Sequence, residues 1–423
     1  MTAERDRKVE ARTAVEAMRN GVPSREAVRH LGSSQPRAEE RFMTMLSEVQ
    51  VGIGSASAHE SMLISGDFGS GKSHLLAHFE HIALSEGFVC SRVSISKETP
   101  LYDLGKVFVS AMENGRIPER RGRMIEELAL SLDPNSDEYV QFAHWADTAA
   151  DNGQLSKMFP ASLVVHEQCG DLELMSDIEA FWAGDRILIS KIRAGLRQID
   201  QVQHYRFTAP KAVELHPQRL RFAVELIKSA GYRGWVILLD ELELIGSYSI
   251  LQRGRSYAEV SRWLGLAGGG YSGLIVVAAV TEDFASAIIS PDGPKKDRDY
   301  VRPKLEQSAR HSNLGALADK GMHALERNCL AMEPPSYDDV ITAMETLRDL
   351  YRQAYDWDPP AYEATAGGAG FRGRMRYRVR AAINEWDLHR LYPDYRPQTE
   401  MVDFMNIYME DTDLENESEV TED

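Results

Sequence analysis

The chain has 423 residues, 43% apolar and 27% charged, which fits a folded protein of two or three domains and excludes a mostly disordered one. Three cysteines without zinc-ligand spacing exclude a disulfide framework, and the longest apolar run, Leu274–Val280, is far too short to span a bilayer. A net charge of −17 excludes the coating of nucleic acid by bulk charge, so any DNA contact needs a local basic patch.

In chain order, Met1–Arg7 has no apolar stretch, so no secretory signal is expected and a reducing cytoplasm is the expected location. Residues 1–50 read as a polar helical segment. Apolar residues recur at helical spacing in Arg12–Met18, Gly21-Val-Pro23 breaks the pattern, Ser24 is placed to cap a second helix, and a third is expected over about 37–49. Met62–Ser65 reads as a short buried strand, followed by a glycine loop and a helix through Leu75, Leu76, Phe79 and Ile82. Phe88–Ile95 reads as a second strand. Residues 101–230 form a long helix-rich insert with breaks at Gly153 and Gly170-Asp171. Arg219–Ala230 is amphipathic and leads into a buried strand, Trp235–Leu239; glycines at 268–270 precede another, Leu274–Val280. Strands alternating with helices predict an α/β fold around a central parallel sheet. Residues 286–312 are polar and basic. Pro334-Pro335 divides a core of residues 51–333 from a helical module over 334–408, and residues 409–423 read as an acidic solvated tail.

Gly66-Asp67-Phe68-Gly69-Ser70-Gly71-Lys72-Ser73 fits G-x-x-x-x-G-K-[ST] between a strand and a helix. Glycines let the backbone curl so that several N–H groups face one phosphate, and the following helix presents a partial positive charge. These eight residues and His74 are the expected nucleotide contacts. Lys72 would reach the β- and γ-phosphates of ATP, and Ser73 would hold Mg²⁺. In Trp235–Glu241, four apolar residues bury a strand and Asp240 emerges at its carboxyl end, where open α/β sheets place ligands. Asp240 would hold Mg²⁺ directly or through water, and Glu241 would polarise an attacking water. Glu243, one turn on, reads as structural.

Leu274–Asp283 resembles the strand that AAA+ ATPases place between the two strands just described. Thr281 falls where such proteins carry a polar residue touching the γ-phosphate or the lytic water; an ordinary capped strand end is the competing reading. Arginines 372, 374, 376, 378 and 380 alternate and cannot share one helical face. Gly373-Arg-Met-Arg376 fits the Gly-x-x-Arg start of the third AAA+ lid helix, which makes Arg376 a candidate γ-phosphate contact; a basic patch for nucleic acid or an acidic partner is the alternative. Arg302 is the candidate for an arginine acting on a neighbouring subunit, with Arg298 second and a solvated basic loop as the competing reading. His74, His78 and His81 share a helical face at metal-compatible spacing, but that helix must pack on the sheet and a metal role is set aside.

Three stretches carry a more specific likeness: Ser65-Gly-Asp-Phe-Gly-Ser-Gly-Lys-Ser-His-Leu-Leu76, Val93-Ser-Ile-Ser-Lys-Glu-Thr-Pro-Leu-Tyr-Asp-Leu104 and Arg19-Asn-Gly-Val-Pro-Ser-Arg-Glu-Ala-Val28. With them the chain resembles the BREX ATP-binding protein family BrxD, also associated with phage growth limitation loci. The resemblance implies an AAA+-type P-loop NTPase, similar to origin-recognition ATPases, with a C-terminal helical lid. It also implies ATP and Mg²⁺ as cofactors, homo-oligomer assembly through the nucleotide interface, and a role in bacterial defence alongside other defence proteins. Origin-recognition proteins carry a winged helix after the lid. Here the lid pattern runs to about residue 393, and the acidic remainder is too short for one. DNA contact would then fall to the basic segments, the N-terminal helices, a ring pore or partners. Two functions lead: an ATPase coupled to assembly on DNA or defence proteins, and a nucleotide-dependent binding switch with little hydrolysis; a DNA motor is the weakest reading, because it needs helicase motifs that the sequence does not show.

Overall fold

The computed structural model describes residues 2–20, 25–51, 59–208, 210–268, 270–361 and 375–394. The break at Gly21–Ser24, the arginines at 372 and 374 with Gly373, and the acidic tail lie outside them. Among the described residues, one sheet holds β1 (Glu60–Gly66), β2 (Val89–Ser94), β3 (Gly115–Arg116), β4 (Trp235–Asp240), β5 (Leu274–Thr281) and β6 (Cys329–Ala331). Their order is β3-β2-β4-β5-β1-β6, and every pair is parallel except β2 with the edge strand β3. The expected strand between the two ligand-bearing strands is therefore β5, lying between β4 and β1. This is the α/β arrangement of a P-loop NTPase.

The helices are α1 (Thr2–Asn20), α2 (Arg25–Leu31), α3 (Pro36–Val51), α4 (Lys72–Ser85), α5 (Leu104–Glu113), α6 (Met124–Ser131), α7 (Asp137–Asp151) and α8 (Met158–Gln168). They continue with α9 (Leu172–Ala183), α10 (Ile189–Gln198), α11 (Ala212–Ser229), α12 (Ile250–Trp263), α13 (Asp297–Glu306), α14 (Gly315–Arg327), α15 (Tyr337–Tyr355) and α16 (Met375–Leu391). No helix among the described residues is long and apolar enough to cross a membrane.

Side chains alternate across the sheet, as the two-residue strand period requires. Trp235, Ile237 and Leu239 of β4 and Val276, Ala278 and Val280 of β5 face a large core shared with the insert helices and α11–α14. Val236, Leu238, Ile275, Val277 and Ala279 face the opposite side, against Phe42 of α3 and Leu75, Leu76 and Phe79 of α4. Strands covered on both faces read as unbroken apolar runs, which is why β4 and β5 stand out in the sequence.

A third core joins the two ends of the chain. Ala11, Ala14, Val15 and Met18 of α1 pack with Val340, Met344, Leu347 and Tyr351 of α15 and with Val379, Ile383 and Trp386 of α16. The first fifty residues are thus shared out: α1 packs with α15 and α16, and α3 covers the sheet.

The basic stretch at 286–312 is no solvated loop throughout, because its middle forms α13. The helix is anchored by Asp297, fully buried, whose carboxylate accepts from Arg253 Nε and Nη2 at 2.8 Å each and from the Tyr257 hydroxyl at 2.7 Å. A bidentate pair with its remaining lone pairs satisfied is the geometry in which a buried ion pair recovers its desolvation cost.

Candidate functional site

β1 ends at Gly66, and the loop turns through Gly69 (φ 79°) and Gly71 (φ 105°) into α4. Gly71 caps the helix in the left-handed region, where a side chain is strained. At Gly66 the limit is space: a Cβ there would stand 2.6 Å from Ser70 Oγ and 3.1 Å from Met332 Sδ. The helix ladder begins with Leu75 N–H donating to Gly71 C=O at 2.9 Å. The N–H groups of Lys72, Ser73 and His74 precede that first rung and so have no acceptor within the helix, the arrangement that suits an anion. Lys72 is buried and folds back, donating to the carbonyls of Gly66 at 2.9 Å and Asp67 at 3.2 Å.

Parallel register brings the acids to the same end of the sheet. Ser94 on β2 is opposite Asp240, and Thr281 on β5 is opposite Gly66. Asp240 is buried, and its Oδ1 accepts the N–H of Glu241 at 3.0 Å. Glu241 itself sits in the left-handed region (φ 63°, ψ 36°), a conformation that costs a non-glycine residue about 1–3 kcal/mol and concentrates at functional sites. Its exposed carboxylate accepts from Ser94 Oγ at 2.8 Å. Glu243 lies below on a 3₁₀ turn, Leu242–Ser247. Burial pushes its carboxyl above the usual carboxylate range, with the Lys72 ammonium opposing, and its Oε2 is buried without a hydrogen-bond partner.

These groups line one cavity of about 360 Å³. Phe68, Gly69, Ser70, Gly71, Lys72, Ser73 and His74 form one side, with Asp240, Glu241 and Glu243 and, from α16, Arg376 also lining it. Gly66 and Asp67 do not line it; they hold Lys72 from behind. Thr281 is buried at the same level of the sheet, outside the lining. Arg302 is also outside it, on α13, where Nε donates to Glu306 at 2.9 Å and Nη1 to Asp319 at 2.8 Å. Arg298 is paired with Glu326.

The same cavity continues between Leu31–Gln35 on one side and Thr342 and Ala343 of α15 with Val379 of α16 on the other. His74 points at this wall rather than at the phosphate cradle. Its Nε2 lies 2.7 Å from Gly32 C=O, and burial lowers its pKa, so the neutral ring donates that N–H. His78 faces Glu39 of α3 at 3.4 Å.

The model of the BREX system ATP-binding protein BrxC/D family matches residues 7–124 and 216–361, more than half of the chain. The chain belongs to the BrxC/BrxD family. No curated protein matches it. The match spans the phosphate loop, Asp240, Glu241 and α15, and omits 125–215, where α7–α10 lie. Most of the insert of this BREX ATP-binding protein is thus outside the shared family region.

The site of this BrxC/BrxD-family chain includes residues that local sequence reading passes over. Glu243 also lines the cavity. Gln35 and its neighbours form another wall, although nothing in Leu31-Gly-Ser-Ser-Gln35 has the spacing of a ligand motif. The one signal available was the cap-and-proline pattern Ser-Ser-Gln-Pro36, which marks a helix start and not a site.

Whether the residues suit a triphosphate with Mg²⁺ can be judged from their chemistry. The cradle offers N–H groups and one buried ammonium, Ser73 and Asp240 offer two oxygen ligands, and the unpartnered Glu243 oxygen marks a buried polar position in need of a donor. Mg²⁺ is commonly held by one or two protein oxygens plus phosphates and water, and this set fits it.

Proposed function

We propose that this BREX-system ATP-binding protein is a Mg²⁺-dependent ATPase that couples nucleotide binding and hydrolysis to assembly on DNA or on partner defence proteins. The observation that carries the reading is the shared cavity: the phosphate loop, Asp240, Glu241 and Arg376 face one space. Lys72 would exchange its two carbonyl partners for phosphate oxygens. The loop N–H groups would hold the phosphates, and Ser73 and Asp240 would hold Mg²⁺. The ion, when bound, would neutralise charge on the phosphates. Glu241 would orient and deprotonate water, and Arg376 would contact the γ-phosphate from the lid. Thr281, level with Gly66, would assist from β5.

Arg302 would act on the site of a second copy in a homo-oligomer. Its bridges to Glu306 and Asp319 are half-exposed and screened by water, so leaving them costs little. One observation favours the alternative reading, a binding switch with slow turnover: one oxygen of the Glu241 carboxylate is already committed to Ser94 Oγ, which leaves only the other to meet water.

Phosphate release and particle mass separate the two. The ATPase reading expects release that needs Mg²⁺ and stops in EDTA, and a dimer or ring with a non-hydrolysable ATP analogue. Analogue-dependent assembly without phosphate release selects the switch. A monomer in both nucleotide states removes the role of Arg302.

A further inference from the structure

The lid leaves the core through Met332–Ser336, and the N–H groups of this segment can be accounted for one by one. Met332 N–H donates to Ser65 C=O at 2.7 Å, beside the phosphate loop. Pro334 and Pro335 have none. Ser336 N–H donates to Asp339 Oδ2 at 2.8 Å within its own helix cap. Glu333 remains, and one side chain takes both of its peptide groups. Its N–H donates to Gln35 Oε1 at 2.9 Å, and its C=O accepts from Gln35 Nε2 at 2.8 Å.

Gln35 is itself held on every side. It is 7% exposed and precedes Pro36, which restricts its backbone. Its N–H donates to Ser33 Oγ at 3.0 Å, and its C=O accepts Glu39 N–H at 3.0 Å to start α3. Three residues earlier, Gly32 C=O accepts from His74 in the first turn of α4. The same segment leads back to α1, which is packed into the lid.

We propose that Gln35 is a positioning residue for the nucleotide site: it staples the lid exit segment at Glu333 to the α2–α3 connection, and through Gly32 and His74 to the helix that follows the phosphate loop. The lid is then tethered to the core by two lengths of chain, 31–37 and 332–336, clamped to each other by the buried Gln35 amide, with an exposed Arg37–Glu333 ion pair at 3.4 Å beside it. The position of Arg376 relative to the loop depends on that clamp, so nucleotide affinity depends on it as well. This rests on the cavity being the nucleotide site.

Two variants test it. Gln35→Ala removes the clamp. Gln35→Glu keeps its length and its acceptor but, when ionised, cannot donate to Glu333 C=O. The readouts are the equilibrium affinity for a fluorescent ATP analogue with Mg²⁺, and amide hydrogen exchange in α15 and α16 against β4 and β5. Loss of a buried amide pair predicts about tenfold weaker binding in both variants. Exchange should quicken in the lid helices and stay native in the central strands. Affinity within twofold of the native chain overturns the proposal. So does exchange that rises equally in β4 and β5, which marks a residue of general stability. If the native chain binds no analogue, the nucleotide reading has failed instead, and the exchange comparison still decides whether Gln35 holds the lid.

Discussion

A Lys72→Ala chain is expected to bind a magnesium nucleotide at least about 100-fold more weakly than the native chain, which corresponds to about 2.7 kcal/mol. The Lys72 ammonium is buried and already points into the phosphate loop, where its partners are two neutral carbonyls. Replacing these by phosphate oxygens turns neutral acceptors into charged ones, and a hydrogen bond to a charged group is worth about 1.5–3 kcal/mol. The substitution also removes the charge that opposes the effect of burial on Glu243, so the Glu243 pKa should rise further. Titration of a fluorescent analogue, with a melting curve to confirm the fold, measures this. An affinity within fivefold of native contradicts the assignment of Lys72.

Glu241→Gln should separate binding from chemistry. Gln keeps an oxygen that can accept from Ser94 Oγ, and nothing in the loop is disturbed, so affinity for the analogue should stay within about threefold of native. Turnover should fall by at least about 100-fold, the low end of what a positioned general base contributes. The strained backbone at this residue is the structural reason to expect so large an effect. A left-handed conformation without glycine persists only where its surroundings enforce it, and here Asp240 Oδ1 and Ser94 Oγ hold the peptide and the carboxylate. Single-turnover rates beside equilibrium binding provide the measurement. A rate reduced less than threefold would assign the base to another residue.

The parts of the fold that were readable in sequence share one property: their signal is local. β4 and β5 are continuous apolar runs because both faces are covered, and the glycine loop keeps its spacing whatever lies around it. The edge strands β3 and β6 are two and three residues long, too short for any period to register. The apolar stripe of α1 says that one face is buried, but not that its partners are Val340, Leu347 and Ile383, more than three hundred residues away. Arg302 could be read as a free basic residue only because its acids, Glu306 and Asp319, come together through helix packing. Gln35 is the clearest case. A glutamine before a proline is an ordinary helix start in sequence, and it becomes a clamp only when Glu333 is brought beside it.

The most direct measurement is a crystal structure of the chain with magnesium and a non-hydrolysable ATP analogue. The expected result is a triphosphate lying against the backbone of residues 69–73, with the cation between Ser73 and Asp240 and the base toward Leu31–Gln35. A triphosphate bound elsewhere on the chain, or density absent from that cavity at saturating analogue, would contradict it.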